Sequence, residues 1–276
     1  MAGPLLTVED LSVEFATRER LVRAVRGVSF TLGREKLAIV GESGSGKSVT
    51  GRAILGLTPK PGRVSAKTLS FDGIDLLTIA PRAMRRLRGR RIALVMQDPK
   101  FSLNPVMTIG AQIGEAIRGS SGRDRRDRVV AMLEAVQIRD PGRVARAYPH
   151  ELSGGMGQRA MIAMMLAAEP DLLIADEPTS ALDVTVQAEV LAILDDLVTR
   201  RGMSLIFISH DLRLVSRFCD RVLVMYGGRV LETCRAADLG AARHPYTQSL
   251  YHCLPDIDRA GQPLPVLERD PAWIDG

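Results

Sequence analysis

The stretch Gly41-Glu42-Ser43-Gly44-Ser45-Gly46-Lys47-Ser48 constrains this chain more than any other. It stands between the apolar run Leu37-Ala38-Ile39-Val40, which reads as a short buried strand, and Val49 to Leu55, whose apolar residues have helical spacing. The spacing GxxxxGK[ST] is that of a phosphate-binding loop. Glycine tolerates positive φ, so the loop can curl until several amide N–H groups point inward at phosphate oxygens. A helix begins there, and its N-terminal dipole favours the same negative charge. Lys47 is placed to reach the β- and γ-phosphates, and Ser48 to ligate Mg²⁺. A Gly/Ser-rich surface turn would share the composition, but not the strand–loop–helix order. The chain is expected to bind a nucleotide through Gly41, Glu42, Ser43, Gly44, Ser45, Gly46, Lys47, Ser48 and Val49.

At 276 residues the chain can bury a sizeable core, as one large or two modest domains. Its 46% hydrophobic and 25% charged residues are those of an ordinary soluble protein. Much of the net charge of +5 comes from two runs, Arg82 to Arg91 and Arg123 to Arg128, which read as solvated faces. No nucleic-acid partner is expected. Cys219, Cys234 and Cys253 are widely separated, without metal-ligand spacing, so neither a disulfide nor a zinc framework is expected and a reducing compartment is the default. The start, Met1-Ala2-Gly3-Pro4, does not read as a signal peptide. No window reaches 18 uncharged apolar residues, so work at a membrane would require docking to an inserted partner.

Leu5 to Phe15 alternates in a β-rich pattern, and Val22 to Leu32 resumes it after a charged turn, predicting an antiparallel hairpin. Thr68 to Phe71, followed by Asp72-Gly73, and Ile92 to Met96 read as further short strands. Pro99 and Pro105 break regular structure and place Gln97 at the start of a loop. From Thr108 to about Ala168 the pattern is helical, with Ile109, Ile113 and Ile117 on one helix and Val129, Val130, Leu133 and Val136 on the next. Its Met stripe reads as packing. Apolar strands follow at Leu172 to Ala175 and Leu205 to Ile208, with a helix from Val184 to Arg200 between them. A hairpin around Gly227-Gly228 comes next, then a tail from Ala236 to Gly276, Pro-rich at its end and expected to be loosely ordered. Strands alternating with helices predict an α/β fold with a mostly parallel sheet, an N-terminal antiparallel β subdomain and an inserted helical subdomain.

Several polar residues fall just after apolar strands, where an open α/β sheet places its ligand. Asp176 is positioned to hold Mg²⁺, and Glu177 beside it to polarise an attacking water. His210 and Gln97 end two other strands, within reach of the γ-phosphate and of the metal or water.

The whole set resembles the ATP-binding cassette ATPases, from Leu5 to about Glu232. The most specific element is Leu152-Ser153-Gly154-Gly155-Met156-Gly157-Gln158-Arg159, which is similar to the family signature. The resemblance implies that Phe15 stacks on adenine, that Gln97 is the glutamine-loop residue and a metal ligand with Ser48 and Asp176, and that His210 is the switch histidine. Ala181-Leu182-Asp183 would form the D-loop. It also implies a head-to-tail dimer with a second ATPase subunit, the same or a paralogous chain. Ser153, Gly154, Gly155 and Gln158 of one copy, with Asp183, would then serve the ATP site completed by the other.

Three further stretches narrow the resemblance to the dipeptide, oligopeptide and nickel importers. They are Met96 to Pro105, Tyr148-Pro149-His150-Glu151 before the signature, and His244-Pro245-Tyr246-Thr247 in the tail. The implied assembly has two membrane permease subunits, gripped through the loop from Gln97 to Pro105, and an extracytoplasmic solute-binding protein. The ATPase would sit peripherally on the cytoplasmic face of the bacterial inner membrane. Residues 1–235 would form the ATPase domain, with the helical insertion at about 103–168, and 236–276 a short C-terminal tail. Gly157 departs from the basic residue more usual after Gly-Gly-Met, and Cys253 alone cannot hold an iron–sulfur cluster. A soluble cassette ATPase of DNA repair or ribosome function is the alternative. Such proteins usually insert long coiled coils or carry two cassettes, and neither pattern is present.

Overall fold

Alternating apolar residues at the N-terminus build the first sheet. A computed structural model of the chain describes residues 3–17, 20–96, 102–117, 119–180, 182–253, 270 and 272–275. Strand β1 (Leu6–Ala16) pairs antiparallel with β2 (Leu21–Leu32), with Leu6 opposite Leu32 and Phe15 opposite Val22. The inward set is Leu6, Val8, Leu11 and Val13, all essentially buried, so the two-residue period slips by one between Val8 and Leu11. Asp10, at φ 54°, absorbs that slip as a bulge and keeps all four residues on the core face.

The predicted buried strand is β3 (Lys36–Val40), from which the glycine loop leads into α1 (Lys47–Ile54). Strands β4 (Gly62–Ser65), β5 (Thr68–Phe71) and β6 (Ile74–Asp75) then complete a five-stranded antiparallel sheet in the order β2-β1-β5-β6, with β4 also on β1. Helix α2 (Pro81–Leu87) follows.

The chain forms two compact units, Arg85–Leu205 and the remainder, Met1–Met84 with Ile206–Gly276. In the unit Arg85–Leu205, β7 (Ile92–Val95) runs parallel to β8 (Leu172–Asp176), every residue of which is buried. Apolar residues without alternation are what a parallel strand covered on both faces requires. Between these strands lie α3 (Ile109–Ala116), α4 (Gly122–Ala135), α5 (Pro141–Arg146), a 3₁₀ turn at Pro149–Glu151 and α6 (Gly154–Leu166). Ile109, Ile113, Ile117, Val129, Leu133 and Val136 are buried as their spacing predicts. Side-chain caps start several helices: Thr108 accepts from the Ala111 amide, and Asp140 from that of Arg143. Helix α7 (Val184–Arg201) buries Val190, Ile193, Leu194, Leu197 and Val198 and stops at Gly202, in the left-handed conformation.

Strand β9 (Ser204–Ser209) returns the chain to the first unit, where the strand order is β11-β10-β3-β9. Helix α8 (Leu212–Phe218) precedes β10 (Arg221–Tyr226), which is parallel to β3, and β11 (Arg229–Arg235) pairs with β10 as the predicted hairpin.

The expectation of a loosely ordered tail is corrected for its first half. A 3₁₀ segment at Ala236–Ala241 and α9 (Pro245–His252) fold onto the first unit, with Ala236, Leu239 and Tyr246 fully buried. Those few residues supply buried contact without a periodic pattern. A last turn, α10 (Ala272–Asp275), carries Trp273 against the Tyr246 ring. All three cysteines are free, and burial pushes the Cys219 thiol up to about 12, so it is an inert core residue. Among the described residues, no helix is long and apolar enough to cross a membrane.

Candidate functional site

The glycine loop is shaped by close approach of its neighbours. Gly41 has φ 147°, and a Cβ there would lie 2.0 Å from the Met225 carbonyl oxygen on β10. Gly46 has φ 98° at the N-cap of α1, with a Cβ position 2.4 Å from the Ala24 carbonyl oxygen on β2. Neither site accepts a side chain without moving a strand. The Gly228 amide, in the β10–β11 turn, donates to the Ser45 carbonyl at 3.1 Å and braces the loop from outside.

The loop closes around its own lysine. Lys47 is 5% exposed, and its Nζ donates to the carbonyls of Gly41 (2.8 Å) and Glu42 (2.7 Å) and to Ser45 Oγ (3.4 Å). An ammonium buried to that extent needs oxygen partners, and the loop carbonyls supply them. Ser43 and Gly44 are exposed at the mouth, while Ser48 and Val49 are half-buried in the first helical turn. That turn has no side-chain cap and no acidic residue, and a helix start of this kind is suited to an anion. The Glu42 amide donates to the hydroxyl of Tyr246 at 3.1 Å, a contact the sequence reading missed.

Two other predicted residues lie in the same unit. His210 is exposed immediately after β9, the neighbour of β3, and Asp211 after it caps α8 by accepting from the Leu214 amide at 3.0 Å. Phe15 is half-buried at the end of β1, its ring so close to Gly62 that a Cβ there would lie 2.7 Å from Cε1.

In the unit Arg85–Leu205, Asp176 ends β8, 5% exposed. Glu177 follows with φ 47°, an uncommon conformation for a residue with a side chain and one that gathers at functional sites. Its carbonyl accepts from the Ser180 amide (3.3 Å) and hydroxyl (3.1 Å), which fixes the turn. The signature segment opens α6. Ser153 is the exposed N-cap, accepting from the Met156 amide at 3.3 Å, and Gly154 faces open space. Gly155 meets Val186 of α7, whose Cγ1 would lie 2.9 Å from a Cβ, so its small size is set at least as much by helix packing as by an approaching ligand. Asp183 caps α7, exposed, accepting from the Val186 amide at 3.0 Å.

Gln158 is placed otherwise than expected. It is 2% exposed, and its side-chain amide donates to the Pro178 carbonyl at 2.5 Å. It ties α6 to the segment after Glu177 and does not face a ligand. The signature spacing could not show this, because residue 158 lies one turn into α6, on its buried face. Gln97 and Ala181 lie outside the described residues.

A buried parallel strand, a curled glycine loop folded over its lysine and an uncapped helix start define a phosphate-loop nucleoside triphosphatase. The family described as ABC transporter matches residues 25–180, and the chain belongs to it. It is 47% identical over 269 residues to the dipeptide transport ATP-binding protein DppD of Haemophilus influenzae, covering 96% of this chain and 82% of that one. Identity to a probable peptide ABC transporter ATP-binding protein of Sinorhizobium fredii is 50% over 271 residues, 95% and 80% of the two chains. A solved dimeric bacterial ABC transporter cassette superposes with TM-score 0.74 at 28% identity, over 84% of this chain and 98% of that one. A related dimer bound to ADP and Pi gives 0.72 at 27% identity, with the same coverage. The chain is an ATPase of this family.

Gly46→Ala forces a side chain into the Ala24 carbonyl at a positive φ, a strain of about 1–3 kcal/mol. The expected outcome is a lower melting temperature and at least a tenfold loss of affinity for a fluorescent ATP analogue, checked by equilibrium titration.

Proposed function

We propose that this ATPase is the energy-coupling subunit of a bacterial importer of di- and oligopeptides. The observation that carries the reading is near-full-length identity of 47–50% to proteins named for dipeptide and peptide transport. These relatives favour peptide over a nickel or metal-chelate cargo. The permease partners, the external solute-binding protein and a peripheral position on the inner membrane follow from the same likeness. The dimeric cassettes among the solved relatives support assembly with a second ATPase subunit.

In the proposed cycle, the loop amides and Lys47 hold the β- and γ-phosphates, with Phe15 against the adenine. Water attacks the γ-phosphorus, Glu177 accepts its proton, and ADP leaves with its β-phosphate oxygen carrying the displaced charge. His210 contacts the γ-phosphate, and Gln97 reports the nucleotide state to the membrane partner. Ser153 and Gly154 offer an exposed helix start to the nucleotide of the second subunit. Among the described residues, no group of three or more His, Cys, Asp or Glu is arranged to hold a metal ion. Ser48, in the first turn of α1, and Asp176, at the end of β8, each carry an oxygen of the kind Mg²⁺ takes, and Mg²⁺ needs few protein oxygens because phosphates and water complete its shell. When bound, Mg²⁺ would neutralise charge on the phosphates.

Glu177→Gln should bind ATP within about twofold of wild type while turnover falls by at least about 10². Retained turnover would remove Glu177 as the base. In cells, loss of this chain should abolish uptake of a labelled dipeptide and spare uptake of the free amino acids. Undiminished dipeptide uptake would contradict the cargo assignment.

A further inference from the structure

The tail helix α9 buries Tyr246, whose hydroxyl meets the phosphate loop on a sensitive peptide. The peptide joining Gly41 to Glu42 is engaged on both edges. Its carbonyl accepts from Lys47 Nζ at 2.8 Å, and its N–H donates to the Tyr246 hydroxyl at 3.1 Å. A peptide unit is planar, so fixing the N–H fixes the direction of the carbonyl. The carbonyl in turn sets where the Lys47 ammonium rests.

Tyr246 is itself firmly placed. It is fully buried, its ring lies 4.7 Å from Tyr226 and 5.6 Å from Trp273, and its amide donates to Nδ1 of His244, the N-cap of α9, at 3.1 Å. Pro245 opens the helix, a position where the missing N–H costs nothing. The segment before it is pinned because the amides of Arg243 (2.7 Å) and His244 (3.2 Å) donate to the Glu232 carboxylate on β11. Tyr226 directly follows Met225, whose carbonyl crowds Gly41. One tail residue is therefore locked against the strand that shapes the loop, with its only polar side-chain atom on the loop backbone.

We propose that Tyr246 is a positioning residue for the phosphate loop: through the Gly41–Glu42 peptide, the C-terminal segment sets the Lys47 grip on ATP. The proposal rests on the reading of Lys47 as the phosphate-binding lysine.

Tyr246→Phe keeps the ring and deletes the acceptor. The full chain carrying it should melt within a few degrees of wild type, yet show a five- to tenfold higher KM for ATP, about 1–1.4 kcal/mol, with kcat at saturation unchanged within twofold. A purely structural role would lower the melting temperature and leave KM in place; an unchanged KM in a folded variant overturns the proposal. If the variant does not fold, hydrogen exchange on the wild-type chain decides. A Glu42 amide protected at least tenfold more than that of exposed Ser43 supports the contact, and equal exchange overturns it. Wild-type chain that fails to bind ATP would sink the phosphate-loop reading itself, a distinct result.

Discussion

A buried ammonium held by the oxygens of its own loop is the interaction on which the rest depends. Lys47 is nearly excluded from solvent, and a charge in that position is tolerated only with oxygen partners around it. The Gly41 and Glu42 carbonyls and the Ser45 hydroxyl supply them. That arrangement needs a backbone no residue with a side chain could follow at Gly41 or Gly46, because Met225 and Ala24 press their carbonyls into the space. It also needs β3 to be buried from Leu37 to Val40, and β10 to run parallel beside it. A nucleotide phosphate offers the same ammonium stronger oxygens, so the loop is set up to exchange one set of partners for another.

Much of this was legible in the residues. The loop, its strand and its helix follow from local spacing, and the hairpin of β1 and β2 from alternation. The helical insertion shows in the four-residue recurrence of Ile109, Ile113 and Ile117. These patterns are local, and local physics decides them. What stayed hidden depends on contacts distant in sequence. Nothing near Gly155 signals that Val186 limits its size, and nothing in the signature says that Gln158 turns inward to Pro178. The order of the tail is hidden for the same reason. A 3₁₀ segment and one eight-residue helix carry too few apolar residues for a period, but Tyr246 alone brings a buried ring and a hydroxyl to the loop.

The two compact units divide the chemistry. One holds the phosphate loop, Phe15, His210 and the tail. The other holds Asp176, Glu177 and the signature helix, whose Ser153 and Gly154 stand exposed at its start, with Asp183 exposed at the start of α7. These exposed helix starts are what the proposed head-to-tail assembly would use. On that proposal, ATP hydrolysis is a property of two copies, or of this chain with a paralogous cassette.

The dependence of turnover on protein concentration tests this most directly. ATP hydrolysis per chain should rise with total concentration and then saturate, either for this chain alone or when it is titrated with a second cassette subunit of the same organism. Turnover per chain that stays constant from nanomolar to micromolar concentration in both titrations would contradict the account.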